Sequence, residues 1–395
     1  MLDLSDERGQ LAAMMLADLG ADVILVEPPG GSPARAVGPF VAEREGDPEA
    51  SLWFWSYNRG KRSIVLDLDA PDDRERLVEL AATADVVVES AGTGAMAARG
   101  LGYDDLSERF PHLVYTSVSA FGHTGPKAGW AATDIVVSAA GMLSHMMGDD
   151  DRPPLRIPLD QTFLHASAEA AAATLIALRE RAGSGLGQHV DVSAQQASTL
   201  ATQSASLAHL YNTTESTRMS GGARLGPFDI RLRSPAADGY VSTAILFGEA
   251  IGPFGKRLFE WMHAEGGCDD ADLEIDWIDF VDGVKSGRIG LGEYDRIQQV
   301  AADFTARRTK KELLESALEH RLLMVPISSV ADVVENEHYR DRDFWREIDV
   351  PDGEPAGNGT AAVQFPGPWA KLSRTPLEIG TPPPRIGQHT DEVLA

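Results

Sequence analysis

Cysteine is nearly absent from this sequence. The lone Cys268 in 395 residues excludes an intrachain disulfide, and its Gly-Gly-Cys-Asp-Asp setting has no cationic neighbour to make a reactive thiolate. A reducing cytoplasm fits that usage. Positive charge is also scarce. Against 60 Asp and Glu stand 35 Lys and Arg, a net charge of −25, which argues against a nucleic-acid or membrane-surface binder. Any phosphate-bearing ligand must then meet a local basic site. No apolar run is long enough to span a bilayer, and the start, MLDLSDERG, lacks the basic and apolar regions of a signal peptide, so a soluble protein is expected. The ten histidines are dispersed, with no His-Glu-x-x-His and no Cys pair, so no metal site is expected. A Gly-x-Ser-x-Gly elbow is missing, and nothing selects one serine for a Ser-His-Asp hydrolase.

What is present is an ordinary globular composition, long enough for two domains or one large domain with a satellite. Residues 2–4 read as a short strand, QLAAMMLADL (10–19) as a helix stopped by Gly20, and ADVILVE (21–27) as a buried strand. The alternation repeats with SIVLDL (63–68), a helix from Asp72 to about Thr83, DVVVES (85–90) and HLVYTSVSAF (112–121). Near-continuous apolar strands alternating with helices imply an α/β fold, a doubly wound parallel sheet covered on both faces. Such sheets bind ligands at the carboxyl ends of their strands. The loops there are PPGGSPAR (28–35) and SAGTG (90–94), and NRGKR (58–62) precedes the third strand. Two of the three carry cations, which suits phosphates, although Arg and Lys beside a strand are commonly plain solvated ends. The dinucleotide fingerprint Gly-x-Gly-x-x-Gly is absent from the first strand-to-helix turn, SDERGQ, so a nicotinamide enzyme is set aside.

The stretch PPLRIPLDQTFLHASAEAAAATLIALR (153–179) carries the candidate chemistry. Its three prolines forbid a helix before Leu159, and from Gln161 onwards Leu164, Ala168, Ala171, Leu175 and Leu178 recur at helical spacing. Asp160 then stands at the helix start. It could be a helix cap, its carboxylate accepting first-turn N–H groups. The sharper reading makes it a nucleophile, since an ionised carboxylate can attack an activated carbonyl to give an acyl intermediate.

Further on, GSGLG (183–187) reads as a turn before the strand HVDVS, and residues 194–212 as polar helix. STRMSGGAR (216–224) reads as a flexible stretch, and IRLRSPAADGYVSTAIL (230–246) as two strands across an Asp238-Gly239 turn. A helix is expected over 309–321, and a Pro/Gly-rich tail from Pro351 with a strand near 362–365. Trp53, Trp55 and Trp130 could line a pocket; core packing is the commoner use of such residues. The expected domains are a large one from residues 1–212 and 325–395 and a small one from 225–315, with linkers between.

LADLGADVILVEPPGGSPAR (16–35), NRGKRSIVLDL, DVVVES, SVSAFGHTGP (117–126), TDIVVSAAGM (133–142), the Pro-Leu-Asp before the Ala-rich helix, ADGYV (237–241) and the terminal GQHTDEVL (387–394) together resemble family III CoA-transferases, the CaiB/BaiF family. The resemblance runs in order along nearly the whole chain. It implies a large domain built from both chain ends, a smaller α+β domain between, and a homodimer of interlocked subunits. It makes Asp160 the catalytic carboxylate, coenzyme A thioester a substrate with no tightly bound cofactor, and a carboxylic acid the acceptor. It also implies coenzyme A contacts at Arg35, at Leu66, Asp67, Leu68 and Asp69, at Ser90, Ala91 and Gly92, and at Arg99. Asp134 falls near the reacting end, and Gly221 and Gly222 in a shortened glycine-rich flap. Backbone N–H groups near Gly9 and Gln10, or at the helix start, are the conjectured oxyanion donors.

Departures from the family pattern stand out at two loops. Asp69 replaces a phosphate-binding lysine of some members, and Glu7-Arg8-Gly9-Gln10 replaces an Ala-Gly-Pro run. Besides the transferase, the resemblance leaves open an acyl-CoA isomerase or racemase of the same family and a coenzyme A-binding protein without turnover.

Overall fold

The computed structural model describes residues 1–211, 218–225, 228–350 and 362–395. By contacts the chain divides into two compact units, one of residues 1–144, 156–210 and 337–395, the other of 145–155 and 211–336. The second unit thus takes in 316–336, and 325–336 had been expected in the large domain. The reason is a strand pairing described below. Residues 216–217 of the expected flexible stretch and 351–361 of the Pro/Gly-rich tail lie outside the described residues.

In the first unit, strands β1 (Leu2–Leu4), β2 (Val23–Glu27), β3 (Lys61–Val65), β4 (Val86–Glu89), β5 (Val114–Ser119) and β6 (His189–Ser193) form one parallel sheet in the order β3-β2-β1-β4-β5-β6. The helices are α1 (Gln10–Asp18), α2 (Leu52–Asn58), α3 (Pro71–Thr83), α4 (Tyr103–Arg109), α5 (Asp134–Ala140), α6 (Gln161–Ser184), α7 (Ala194–Leu200) and α8 (Gln203–Leu210). Two apolar clusters cover the sheet. One joins Leu2, Val26, Ile64 and Tyr115 to Leu77, Val78 and Ala81 of α3 and Leu106 of α4. The other joins Val118 and Val192 to Ala12 and Leu16 of α1, Val137 of α5, and Phe163, Ala166 and Ala170 of α6. Strands sandwiched in this way are apolar on both faces, hence the near-continuous runs in the sequence.

Strand β3 starts earlier than expected and ends at Val65. Its register against β2, from Val23 opposite Lys61 to Glu27 opposite Val65, releases Leu66–Asp69 as a loop at the sheet's carboxyl edge. Helix α6 buries Phe163, Ala166, Ala170, Thr174 and Ala177, while Leu175 and Ile176 face outward at 42 % and 71 % exposure. Small residues, and not the leucines, form its packed stripe, so the backbone approaches β5 and α1 closely. Trp53 and Trp55 are buried against Phe54 and Ile348, as packing residues, whereas Trp130 is 61 % exposed.

The second unit holds the β7 (Gly222–Leu225) and β8 (Phe228–Arg231) hairpin and an antiparallel sheet β11-β10-β9, of Met324–Pro326, Gly239–Thr243 and Arg233–Ala236. Pairing of Val241 with Pro326 draws the 324–326 segment into this unit. Helices α9 (Gly252–Ala264), α10 (Phe280–Lys285), α11 (Gly292–Thr305), α12 (Lys310–His320) and α13 (Val330–Val334) follow, with a core around Phe259, Trp277, Phe280 and Tyr294. The chain then rejoins the first unit through α14 (Glu337–Asp341), a β12 (Trp345–Asp349) and β13 (Ala362–Pro366) ribbon, and α15 (Thr390–Leu394).

Candidate active site

Between β1 and β4 the winding of the sheet reverses, so the loops after these two strands part and leave a crevice at the carboxyl edge. The loop after β1 is Ser5–Gly9, and that after β4 begins at Ser90. Ser90 Oγ ties them by donating to Asp6 Oδ1 at 2.7 Å and accepting the Asp6 N–H at 2.9 Å. Gly9 is needed for the close approach, because a Cβ there would fall 2.7 Å from Ser5 Cβ. Beneath the loops, Lys61 Nζ donates to Asp3 Oδ2 and Asn58 Oδ1, both at 2.8 Å, and Asn58 donates to Gln10 Oε1 at 2.8 Å. This buried network fixes the crevice floor.

The first-strand loop separates two cavities. Ser5 and Asp6 line one of about 320 Å³ together with Leu66, Asp67, Leu68, Asp69, Ala91 and Arg99. Glu7 and Arg8 line the other, of about 310 Å³, with Thr133, Asp134, Arg156, Asp160 and Phe163. The structure therefore brings together six expected contact residues at the first cavity and, at the second, Asp134 with the expected nucleophile Asp160. Arg99 is the one cation lining the first cavity among the described residues, and its Nε donates to Asp69 Oδ1 at 2.9 Å. Ser90 is buried behind the wall, and Gly92 lines a third cavity with Glu89 and His123. Burial pushes the Glu89 carboxyl up, while its Oε2 accepts the Ala91 N–H at 2.7 Å. Gly221 and Gly222 lie in the second unit. There Gly221 takes φ +65°, and a Cβ on Gly222 would strike Ile230 O at 2.2 Å, so both serve the hairpin's tight pairing.

Arg35 departs from expectation. Its side chain is 1 % exposed and forks onto Glu27, itself fully buried, at 2.6 and 2.8 Å, with further bonds to Glu49 at 3.0 Å and Pro384 O at 2.9 Å. No donor is left for a phosphate, because a buried guanidinium must spend its N–H groups on internal acceptors. The NRGKR cations are likewise paired, Arg59 with Asp18, Lys61 with Asp3, and Arg62 with Asp22 and Glu392. Lys61 opens β3, and its ammonium is spent on Asp3, Asn58 and Gln10 O beneath the loops.

Asp160 occupies the cap position of α6 but makes no side-chain cap bond. Asp134 performs that task from the start of α5, where its buried Oδ1 accepts the Thr162 N–H at 2.8 Å and the Thr162 hydroxyl at 2.7 Å. The Asp160 carboxylate, 42 % exposed, instead accepts from Arg156 Nη2 at 2.7 Å. Leu159 before it has φ +71°, a left-handed conformation that costs about 1–2 kcal/mol for a residue with a Cβ.

The conjectured backbone donors are occupied. Gly9 and Gln10 N–H groups both donate to Asp6 O, at 3.0 and 3.2 Å, and the Gln161 N–H donates to Leu159 O. Sequence reasoning gave no role to Glu7, Arg8 or Arg156. Arg156, four residues before Asp160, carried a spacing signal, but no helix there would bring the two together. Glu7 is half-buried, and burial pushes its carboxyl up, followed by the negative charge of Asp6, with Asp160 adding to the effect and its own backbone amide and Arg8 opposing it.

Fold and site together define a doubly wound α/β protein with a carboxylate released from helix capping beside the switch point. The sequence model of CoA-transferase family III matches residues 7–390. This chain belongs to CoA-transferase family III. Over its whole length it is 33 % identical to the BbsE subunit of succinyl-CoA:(R)-benzylsuccinate CoA-transferase of Thauera aromatica, covering 92 % of that relative. It is 31 % identical to the succinyl-CoA:mesaconate CoA-transferase of Haloarcula hispanica, with all of this chain and 94 % of the relative covered. A crystal structure of a CaiB/BaiF family protein from Brucella suis superposes with a TM-score of 0.82 at 27 % identity, covering 99 % of this chain and 96 % of that one.

Proposed function

We propose that this chain is an acyl-CoA:carboxylate CoA-transferase in which Asp160 is the nucleophile and becomes an aspartyl-CoA thioester. One observation carries the assignment: the helix-capping duty that would have consumed the Asp160 carboxylate is performed by Asp134, which leaves Asp160 facing a cavity. The first cavity, with Leu66–Asp69, Ala91 and Arg99, is then the nucleotide end of the coenzyme A site, and the second holds the thioester.

In the reaction, an Asp160 oxygen displaced from Arg156 adds to the thioester carbonyl. The C–S bond breaks, coenzyme A leaves as thiolate, and a mixed anhydride remains. The thiolate attacks the Asp160 carbonyl, releasing the donor acid and leaving aspartyl-CoA. The acceptor carboxylate then attacks that thioester, and the returning thiolate takes the new acyl group and frees Asp160. Covalent catalysis replaces one difficult displacement by four acyl transfers.

The relatives named above use succinyl-CoA, so a dicarboxylic donor of that class is the first to try. Mass analysis of acyl-CoA donors mixed with carboxylic acids tests the proposal, with a new acyl-CoA as the expected result. Coenzyme A binding without exchange would favour the non-catalytic reading. Incorporation of deuterium at the α-carbon of a 2-methylacyl-CoA would favour the isomerase, which needs an acid/base pair, whereas Asp134 is committed to Thr162. We further take the working assembly to be a homodimer, supported by the outward-facing Leu175 and Ile176 of α6 and Leu207 and Leu210 of α8, and the compartment to be the cytoplasm. No helix among the described residues is long and apolar enough to cross a membrane.

A further inference from the structure

The Asp160 cavity contains a carboxyl group that the transfer sequence above does not use. Glu7 lies on the β1 loop, and its Oε2 is fully buried without a hydrogen-bond partner among the described residues. The charged groups around it are Asp6 and Arg8 from its own loop, Asp134 from α5, and Arg156 and Asp160 from the segment before α6. Neither arginine donates to its Oε2: Arg8 donates through Nε and Nη2 to Asp6, and Arg156 through Nη2 to Asp160. An ionised carboxylate with an undonated, buried oxygen beside three other acids is in the least favourable state open to it. A neutral carboxyl relieves the repulsion and carries one O–H donor.

The reaction itself would supply that donor with an acceptor. The backbone N–H groups of Gly9, Gln10, Gln161 and Thr162 are already engaged, so they offer nothing to a tetrahedral oxyanion in this cavity. We infer that Glu7 is a second catalytic carboxyl group, a neutral acid whose O–H donates to the oxyanion formed when Asp160 adds to the thioester carbonyl. The inference rests on the transferase reading of Asp160. No proton changes hands. The hydrogen bond strengthens as the carbonyl oxygen gains charge, and it relaxes when the C–S bond breaks and sulfur leaves as thiolate. Glu7 keeps its proton through all four acyl transfers, and its neutrality spares the attacking Asp160 a like charge.

The test uses the full chain and a donor–acceptor pair that the wild type turns over. Glu7→Ala should lower kcat by about 10²–10³-fold, the loss typical of one oxyanion donor, with KM for the CoA thioester nearly unchanged. Glu7→Gln, which keeps an N–H donor in the same shape, should stay within about tenfold of the wild type. It should also lack the decline in kcat that the wild type shows as rising pH ionises Glu7. The infrared difference spectrum of wild type minus Glu7→Gln at pH 7 should contain the carbonyl stretch of a protonated carboxyl group. Absence of that band, wild-type kcat in Glu7→Ala, or equal losses in both variants each overturns the inference. The band needs no turnover, so an inactive wild type would sink the transferase reading while the spectrum still decides the state of Glu7.

Discussion

Replacing Arg35 by alanine separates a structural from a ligand-binding role for this side chain. Arg35 and Glu27 are exposed by 1 % and 0 %, joined by two short bonds, and the guanidinium carbon lies 3.7 Å from the centre of the Phe54 ring. Removing one member of such a pair strands the other charge in a dry interior, at a cost of about 3–5 kcal/mol. Glu27 would keep the Ser32 N–H at 2.8 Å and the Ser63 hydroxyl at 2.5 Å, which places the expected loss near the lower end, about 3 kcal/mol. Adding Glu27→Gln removes the stranded charge and should recover part of that loss in a double-mutant cycle. Urea unfolding followed by tryptophan fluorescence is a suitable assay, since Trp53 and Trp55 share the apolar cluster with Phe54. Calorimetric titration of the folded variant should give a coenzyme A affinity within about threefold of wild type, under 1 kcal/mol. An Arg35→Ala protein that unfolds at the wild-type urea concentration but binds coenzyme A tenfold more weakly, about 1.4 kcal/mol, would refute the buried-pair account.

Asp134→Ala removes the cap from α6 and should cost about 1–2 kcal/mol, and it should also slow turnover, because the freed Thr162 N–H can then compete for the Asp160 carboxylate. Asp134→Asn keeps an acceptor oxygen and should restore most of the stability. Equal unfolding midpoints for Asp134→Ala and wild type would contradict this. Glu7 offers a test of pH linkage. Its folded-state pKa lies above the unfolded value, so the folded state holds the extra proton, and the stability it contributes is present at low pH and lost as pH rises through the folded value. Glu7→Gln should therefore gain stability relative to wild type at pH 8 and lose that advantage at pH 4; a pH-independent difference between the two midpoints would be the contrary result.

How far the sequence was legible follows from the range of the interactions. The strands of the parallel sheet show in apolar runs because burial on both faces is a local requirement, and α6 shows because prolines and then alanines mark its start. Strand β12, WREID, carries no such run and forms only by pairing with β13, so nothing local marked it. The ends of β3 were misplaced for a related reason. Lys61 looks like loop until Asp3 is known to meet it, and Leu66 and Leu68 look like strand until the register with β2 runs out. Partners of charges are the least legible of all. An arginine in PPGGSPAR reads as a phosphate ligand, and only folding shows Glu27 beneath it. Asp160 stands out as a candidate through its neighbours in sequence, but its release from capping depends on Asp134, and the acid beside it, on a loop 153 residues earlier, shows in the sequence only as a departure from a pattern.

The claim on which the account rests is that the Asp160 carboxylate forms a covalent thioester with coenzyme A. Mass analysis of the protein after single-turnover mixing with an acyl-CoA donor, without acceptor, tests it directly. A coenzyme A adduct is expected on the peptide containing Asp160, released by hydroxylamine and absent from Asp160→Asn. That variant should be inactive yet within about 1 kcal/mol of wild-type stability, since the side chain loses only a half-exposed ion pair with Arg156. An active Asp160→Asn, or a wild type that exchanges coenzyme A with no adduct on that peptide, would contradict it.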